Sequence, residues 1–329
     1  MIATVLLLLL GLVLLMVGGE LLVRGASRLA EKLGLSPMLV GLVIVGLGTS
    51  TPELAASVQA SLAGSPGIAL GNIVGSNLAN TLLILGAAAL IAPIAVKGSV
   101  VWRDGVVGLA GVVILLVAGQ TLGLDRLVGT GLLLALVGYL AFAYRQESSG
   151  HPVQAASQRT AAAEHADPGL HPGEPAAGGG GVLKPIFLFV IGTAIIVAGG
   201  TVLVDAAIDI AASLGVPDTV IGLTVVAAGT SAPELATTVV AAFRRESDIA
   251  LGNVLGSNIY NIFFIGGITG LVAPGPIPDG ILTVDMWVLL AASLAAIVFS
   301  WTGGRLGRRE GALLLAAYAV FLVVTVRGV

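Results

Sequence analysis

Polar and apolar residues in this chain are arranged in blocks and do not alternate. Long stretches of Leu, Val, Ile, Ala and Gly are separated by short polar breaks. Runs of roughly 18 or more apolar residues are long enough to cross a bilayer as helices. Ten such runs are read, at 2–33, 37–62, 67–92, 99–120, 126–144, 184–214, 217–243, 248–273, 281–301 and 310–327. The first lacks a positively charged leading segment and a clean cleavage site, so it is expected to be a retained helix and not a signal peptide. Composition agrees: the chain is 57% hydrophobic and 10% charged, against about 25% charged in a soluble domain. A polar coat cannot be made from so few charges, so lipid must be the solvent.

The expected architecture is an all-α integral membrane protein of ten transmembrane helices. Residues 145–183 interrupt the pattern with a polar, Ala-, Pro- and Gly-rich stretch that ends in Gly178 to Gly181. It has too little apolar area to offset the entropy of ordering and is expected to be a flexible linker. The three histidines, His151, His165 and His171, all lie there. They are read as solvated linker residues in preference to a metal or pH sensor. There is no cysteine, hence no disulfide and no thiolate metal site.

Charge distribution sets the expected orientation. With ten spans, one side gathers Arg24, Arg28, Lys32, Lys97, Arg103, Arg145, Arg159, Lys184, Arg244, Arg245, Arg305, Arg308 and Arg309, and the other only Arg126 and Arg327. The richer side is expected to be cytoplasmic. Both termini then face away from the cytoplasm and the linker lies within it, in a plasma or inner membrane.

The chain also repeats itself. Residues 41–80 and 222–261 align at a constant offset of 181 without a gap, identical at 21 of 40 positions. The register extends from Gly18-Gly19 and Gly199-Gly200 to Ala92-Pro93 and Ala273-Pro274. This gives residues 1–144 and 184–329 five spans each. An odd number makes the second unit enter the membrane from the opposite face, as in transporters whose site lies at the midplane between inverted repeats. Mere duplication of a structural bundle would explain shared hydropathy. It would not explain why identity concentrates on polar and helix-breaking residues.

Two motifs carry that identity. The first is Gly48-Thr49-Ser50-Thr51-Pro52-Glu53, repeated as Gly229-Thr230-Ser231-Ala232-Pro233-Glu234. Proline within an apolar span removes a backbone donor and clashes with the preceding turn, so each helix is expected to break. Freed carbonyls in hydrocarbon are costly unless they line a polar cavity. Glu53 and Glu234 follow the breaks, and a carboxylate at bilayer centre costs on the order of 2.5–3.5 kcal/mol. No Lys or Arg is expected at that depth, so a bound cation is the natural partner. The bland alternative is a pair of protonated glutamates bonded across the bundle. In the second motif Asn72, Ser76 and Asn80 are spaced by four, as are Asn253, Ser257 and Asn261, placing a polar stripe on an apolar helix. Asn77 and Asn258 read better as glue between helices, and Gly71 and Gly75 as points of close approach. Glu20 and Arg24, four apart, are expected simply to pair.

Carboxylate, hydroxyl, amide and carbonyl oxygens without His or Cys form a hard-cation donor set. Calcium suits it and zinc does not. Two carboxylates balance one divalent ion or two sodium ions.

On these paired motifs the chain resembles the cation/calcium exchanger superfamily, in particular its prokaryotic sodium/calcium exchanger-like branch; only the central linker lies outside the resemblance. The resemblance implies a fold of two inverted five-helix repeats, with ions held between the second, third, seventh and eighth helices. It implies calcium binding by Glu53 and Glu234 with the backbone carbonyls of Thr49 and Thr230. Sodium would use those glutamates with Ser50, Ser76, Ser231 and Ser257 and the carbonyls of Gly46 and Ala227, while Asn80 and Asn261 complete the centre. It further implies that the long first and sixth helices slide against the rest to switch access. Well-known exchangers of this kind carry aspartate at the position of Asn261, and here both halves have asparagine.

The expected activity is therefore antiport of Ca²⁺ against Na⁺ by alternating access. Proton-coupled or potassium-dependent exchange of a divalent cation is the alternative, and a cation channel a further one. An intramembrane metal-dependent enzyme would need an asymmetric site with a nucleophile or activated water, which duplication of every ligand disfavours. The expected partners are the bilayer and the transported ions, with no cofactor, nucleic acid or obligate protein partner.

Overall fold

The computed structural model describes residues 2–62, 66–149, 181–213 and 227–327. The helices, in chain order, are α1 (Ile2–Leu33), α2 (Pro37–Thr49), α3 (Thr51–Leu62), α4 (Gly67–Ile91), α5 (Gly98–Thr121) and α6 (Arg126–Ser149) in the first half. The second half has α7 (Leu183–Ser213), α8 (Ala227–Thr230), α9 (Ala232–Phe243), α10 (Ser247–Val272), α11 (Ile281–Thr302) and α12 (Arg308–Arg327). Among the described residues seven of these are long and apolar enough to span a membrane, and the bent pair α2–α3 makes an eighth. The other two expected spans fall on α9, a shorter apolar helix preceded by residues outside the described set, and on α12, which opens with three charges. The α6 helix runs on to Ser149, past its expected end at 144, because nothing in Tyr144-Arg145-Gln146 breaks a helix. Of the expected linker, 150–180 lies outside the described residues.

Local chemistry sets the helix ends. Gly34 at φ +63° closes α1, and glycine reaches that region without a Cβ clash. Ser36 then caps α2, its Oγ accepting from Leu39 N–H at 3.1 Å with Pro37 at the first helical position. Asp125 does the same for α6, Oδ1 accepting from Val128 N–H at 2.8 Å.

Inversion is visible in which connections meet. In the first half the link after α4 carries a strand, β1 (Ile94–Ala95), which pairs antiparallel with β2 (Arg305–Leu306), the link after α11. Leu124, after α5, bridges Gly275, after α10. The third connection of one half thus shares an end with the fourth connection of the other, and the reverse. Repeats of the same orientation would bring like connections together.

The two long helices α1 and α7 run antiparallel along each other. A Cβ on Gly11 would lie 2.7 Å from Leu203 Cβ, on Gly18 2.8 Å from Ile196 Cγ1, and on Gly25 2.5 Å from Phe189 N. The glycines, seven apart, form a seam on which the backbones nearly touch. This pair is peripheral, as are α6 and α11: 28% and 22% of the α1 and α7 spans are buried, against 78% and 72% for α4 and α10. Leu6, Leu9 and Met16 of α1 are exposed, as suits a lipid-facing surface. The α4 and α10 helices form the centre and carry the second polar motif of each half, against which the broken helices of the first motif pack.

Candidate functional site

The first motif breaks its helix as its proline predicts. The α2 and α3 axes differ by 43°, and the turn is at Ser50, with φ −81° and ψ 6°. Its equivalent Ser231 has φ −87° and ψ 8°. Each break lets a serine and the glutamate three residues later point to the middle of the molecule. Close backbone packing brings the breaks to the central helices. A Cβ on Gly46 would lie 3.1 Å from the Gly256 carbonyl carbon, and one on Gly252 2.7 Å from Met38 O. Only glycine permits this contact between α2 and α10, and it puts Thr49 beside Asn253 and Ser257.

The hydrogen bonds are paired across the two repeats. Ser50 Oγ donates to Glu234 Oε1 at 3.2 Å, and Ser231 Oγ donates to Glu53 Oε1 at 3.4 Å. Asn72 Nδ2 donates to the Glu53 carbonyl at 3.2 Å and to Ser57 Oγ at 3.0 Å. Asn253 Nδ2 donates to the Glu234 carbonyl at 3.3 Å and to Thr238 Oγ1 at 2.8 Å. Thr49 Oγ1 donates to Asn253 Oδ1 at 3.1 Å, and Thr230 Oγ1 to Asn72 Oδ1 at 3.4 Å. Ser257 Oγ adds a donor to Glu234 Oε1 at 3.5 Å and lies 3.4 Å from Thr49 Oγ1. Each half thus orients the acid of the other.

What these bonds leave over defines the site. Glu53 and Glu234 are buried, and the Oε2 of each has no hydrogen-bond partner among the described residues. The amides of Asn80 and Asn261 are buried too, with both oxygen and nitrogen unpartnered. Both asparagines sit in π-helical turns, Ala79–Ile84 and Tyr260–Ile265, their carbonyls accepting from Leu85 and Gly266 N–H five residues on. Wide turns of this kind recur at functional positions. Buried polar atoms left unpaired are costly, and here they fall on elements that pack together: the turn with Asn80 lies against α9, which carries Glu234, and the turn with Asn261 against α3, which carries Glu53.

Hydrogen bonds join Thr49, Ser50, Ser231, Ser257, Glu53 and Glu234 of the expected residues, and Thr230 through Asn72. Ser76 is buried on the face of α4 it shares with Asn80. The Gly46 carbonyl already accepts from Ser50 N–H at 3.1 Å and Thr49 Oγ1 at 3.4 Å. Ala227 opens α8, just after residues outside the described set. Asn77 and Asn258 behave as glue: Asn77 Nδ2 donates to Ile73 O at 2.7 Å, and Asn258 Nδ2 to Thr81 Oγ1 at 2.9 Å. Glu20 pairs with Arg24 at 2.6 Å and also with Arg244. The sequence reading missed Ser57, Thr237 and Thr238, all buried within one turn of a motif glutamate. Their spacing of three or four from Glu53 and Glu234 was the available signal.

A second buried polar cluster lies between α5 and α6, at a small cavity that Asp104 lines with Asn77, Thr81 and Asn258. Arg103 grips Asp104 with two hydrogen bonds, Nε to Oδ1 at 2.5 Å and Nη2 to Oδ2 at 3.0 Å, and Tyr139 OH donates to Asp104 Oδ1 at 2.7 Å. It ties α5 to α6. Asp285, at the matching offset of 181, has no such partner among the described residues.

Comparison with known proteins points one way. The family model described as "Sodium/calcium exchanger protein" matches residues 3–145 and 184–327. The sodium/calcium exchanger MaX1 of Methanosarcina acetivorans is 39% identical over 97% of each chain. The putative antiporter CaxA of Alkalimonas amylolytica is 36% identical over 94% of each. Solved structures of the sodium–calcium exchanger NCX_Mj superpose with a TM-score of 0.81 at 32% identity, covering 98% of both chains.

Proposed function

Because the chain belongs to the sodium/calcium exchanger protein family, as a multi-pass membrane cation/Ca²⁺ exchanger, we propose that it drives Ca²⁺ across the membrane against Na⁺ at the site between Glu53 and Glu234. The observation that carries this reading is the pair of buried Oε2 atoms without a partner among the described residues, together with the unpartnered amides of Asn80 and Asn261 on turns that pack against the glutamate helices. A Ca²⁺ ion takes six to eight oxygens in flexible geometry. Glu53 and Glu234 would supply the charge, the carbonyls of Thr49 and Thr230 would complete the shell, and Asn80 and Asn261 would close its middle.

Sodium would occupy the same carboxylates together with Ser50, Ser76, Ser231 and Ser257. A sodium ion on the Gly46 carbonyl competes with the Thr49 hydroxyl that now bonds to it, and Ala227 would offer its carbonyl on the opposite side. Two ions that need the same two acids cannot be bound together, and alternate occupancy is the condition for antiport. Orientation enters the same proposal: the end bearing Lys97, Arg244, Arg305 and Arg308 faces the cytoplasm.

Proteoliposomes test it. Uptake of radiolabelled calcium should follow an outward sodium gradient and be unaffected by potassium or by a pH gradient without sodium. Uptake driven by the pH gradient alone would replace sodium with protons as the coupling ion, which the second asparagine at position 261 makes worth testing. Conductive calcium flux without a counter-ion would make the protein a channel.

A further inference from the structure

The repeats match at the centre, so a feature found in one half alone serves something other than the exchange site. Such a feature lies where α9 turns into α10. The turn closes as a Schellman motif: Glu246 N–H donates to Ala241 O at 2.9 Å and Arg245 N–H to Ala242 O at 3.0 Å. The residue that must adopt the left-handed conformation is Arg245, at φ +59°, where glycine is the usual occupant. At the offset of 181 the first half does have a glycine, Gly64. The second half therefore holds an arginine in a strained backbone, and a strained non-glycine residue kept in place points to a use for its side chain.

That side chain lines a cleft of ≈ 420 Å³ together with Ile91, Pro93, Phe243, Ser247 and Arg308. The Arg245 guanidinium has neither a hydrogen-bond nor an ion-pair partner among the described residues. Arg308 holds the carbonyls of Leu90 at 3.1 Å and Ile91 at 3.5 Å, which fixes its cation at the cleft wall. Close by, Lys97 pairs with Asp248 at 3.3 Å, Arg244 pairs with Glu20, and the Glu310 carboxylate accepts from Gly307 N–H. The amino end of α10 opens at Ser247 and adds its partial positive charge. Phe243 is 70% exposed beside it. Trp102 and Trp301, edge to face at 5.5 Å and both exposed, lie at the same end of the bundle, where aromatic residues mark the lipid–water boundary.

We propose that this cleft binds the phosphate of an anionic membrane phospholipid, held by Arg245 and Arg308, with Phe243 and Ile91 against the glycerol and upper acyl chain. Basic pockets between spans on the cytoplasmic side take such headgroups. Bound there, the lipid bridges the ends of α4 and α9 and the starts of α10 and α12. Of these, α9 and α10 carry Glu234, Asn253, Ser257 and Asn261 and α4 carries Asn72, Ser76 and Asn80, so an anionic lipid ties site-bearing helices of the two halves together at one end.

Arg245→Gly removes the cation and relieves the strain, so the variant should melt at or above the wild-type temperature and loss of binding cannot be laid to misfolding. For purified full-length protein in nanodiscs, native mass spectrometry should show phosphatidylglycerol retained over phosphatidylcholine. Affinity should fall on the order of tenfold in Arg245→Gly, which is ~1.4 kcal/mol, and less in Arg245→Lys. Equal retention of phosphatidylglycerol by wild type and Arg245→Gly overturns the proposal. Thermal protection by inorganic phosphate without anionic lipid, abolished in Arg245→Gly, overturns the lipid assignment in favour of a soluble phosphate.

Discussion

At the membrane centre the two repeats are interchangeable; a few turns away they are not. Ser50 reaches Glu234 as Ser231 reaches Glu53, and Asn72 and Asn253 each join a glutamate carbonyl to a hydroxyl one turn further on. Elsewhere, Asp104 is held by Arg103 and Tyr139, while Asp285 has no such partner among the described residues. Arg245 takes a glycine's conformation, and Tyr260 fills a position that is Ala79 in the first half. The proposed alternating access would account for the contrast. An inward-open and an outward-open state related by swapping the roles of two halves require matched ligands, but place no such demand on what anchors each half.

The largest effect should come from the acids. Glu53→Gln and Glu234→Gln should each lower exchange by on the order of 100-fold or more, since each removes a buried charge that an ion must neutralise. The comparison sharpens if the two losses agree within a few-fold. A variant that keeps wild-type calcium uptake would break it, because one half would then suffice. Calcium binding to the purified variants by calorimetry separates lost binding from lost turnover.

Next in size is the contrast between Asp104 and Asp285. Asp104→Asn leaves the Arg103 cation buried without its counter-charge and should cost about 3–5 kcal/mol. Asp285→Asn takes nothing from a partner and should change stability by less than about 0.5 kcal/mol. Melting in detergent reads both. Equal destabilisation would mean that Asp285 is anchored by residues outside the described set.

How much of this was legible in the sequence varies by feature. The spans follow from apolar run length, and the inversion follows from an odd count per repeat, so both could be read without coordinates. Prolines in GTSxPE announced the helix breaks, although the turn itself falls on Ser50 and Ser231, two residues before each proline. The crossed bonding of serine to the opposite glutamate could not be read, because it depends on how two distant helices dock. Docking depends on close contacts such as Gly46 against Gly256, which no local pattern encodes. Ser57 and Thr238 were missed because hydroxyls on an apolar helix look like packing until their partners Asn72 and Asn253 are seen. The π-helical turns were missed for a similar reason: residue types in Ala79–Ile84 and Tyr260–Ile265 carry no strong signal for them. Arg103 could be counted as a positive charge near a helix end, but nothing in the sequence placed Tyr139 beside its aspartate.

A smaller effect tests the central match directly. Asn72→Leu and Asn253→Leu each strand a hydroxyl and a glutamate carbonyl, at a cost of about 1–3 kcal/mol per buried group left unpaired. Both should weaken calcium uptake, and by similar factors, because the bond lengths they remove are similar: 3.2 and 3.0 Å against 3.3 and 2.8 Å. A variant pair that differs by more than about tenfold, ~1.4 kcal/mol, would show that the halves carry unequal loads in the ground state.

The smallest effect concerns the asymmetry closest to the site. Tyr260 OH donates to Val43 O at 3.2 Å, inside the π-helical turn Gly41–Val45 that leads to Gly46 and Thr49. The bond ties a helix that carries Asn261 to the approach of the first motif. Tyr260→Phe removes one neutral hydrogen bond and keeps the ring, including its edge-to-face contact with Phe264 at 6.4 Å, so stability should drop by about 0.5–1.5 kcal/mol. If the bond only braces the fold, calcium half-saturation stays as in wild type. If it sets the spacing between Thr49 and Asn261, half-saturation rises several-fold while the maximal rate is kept.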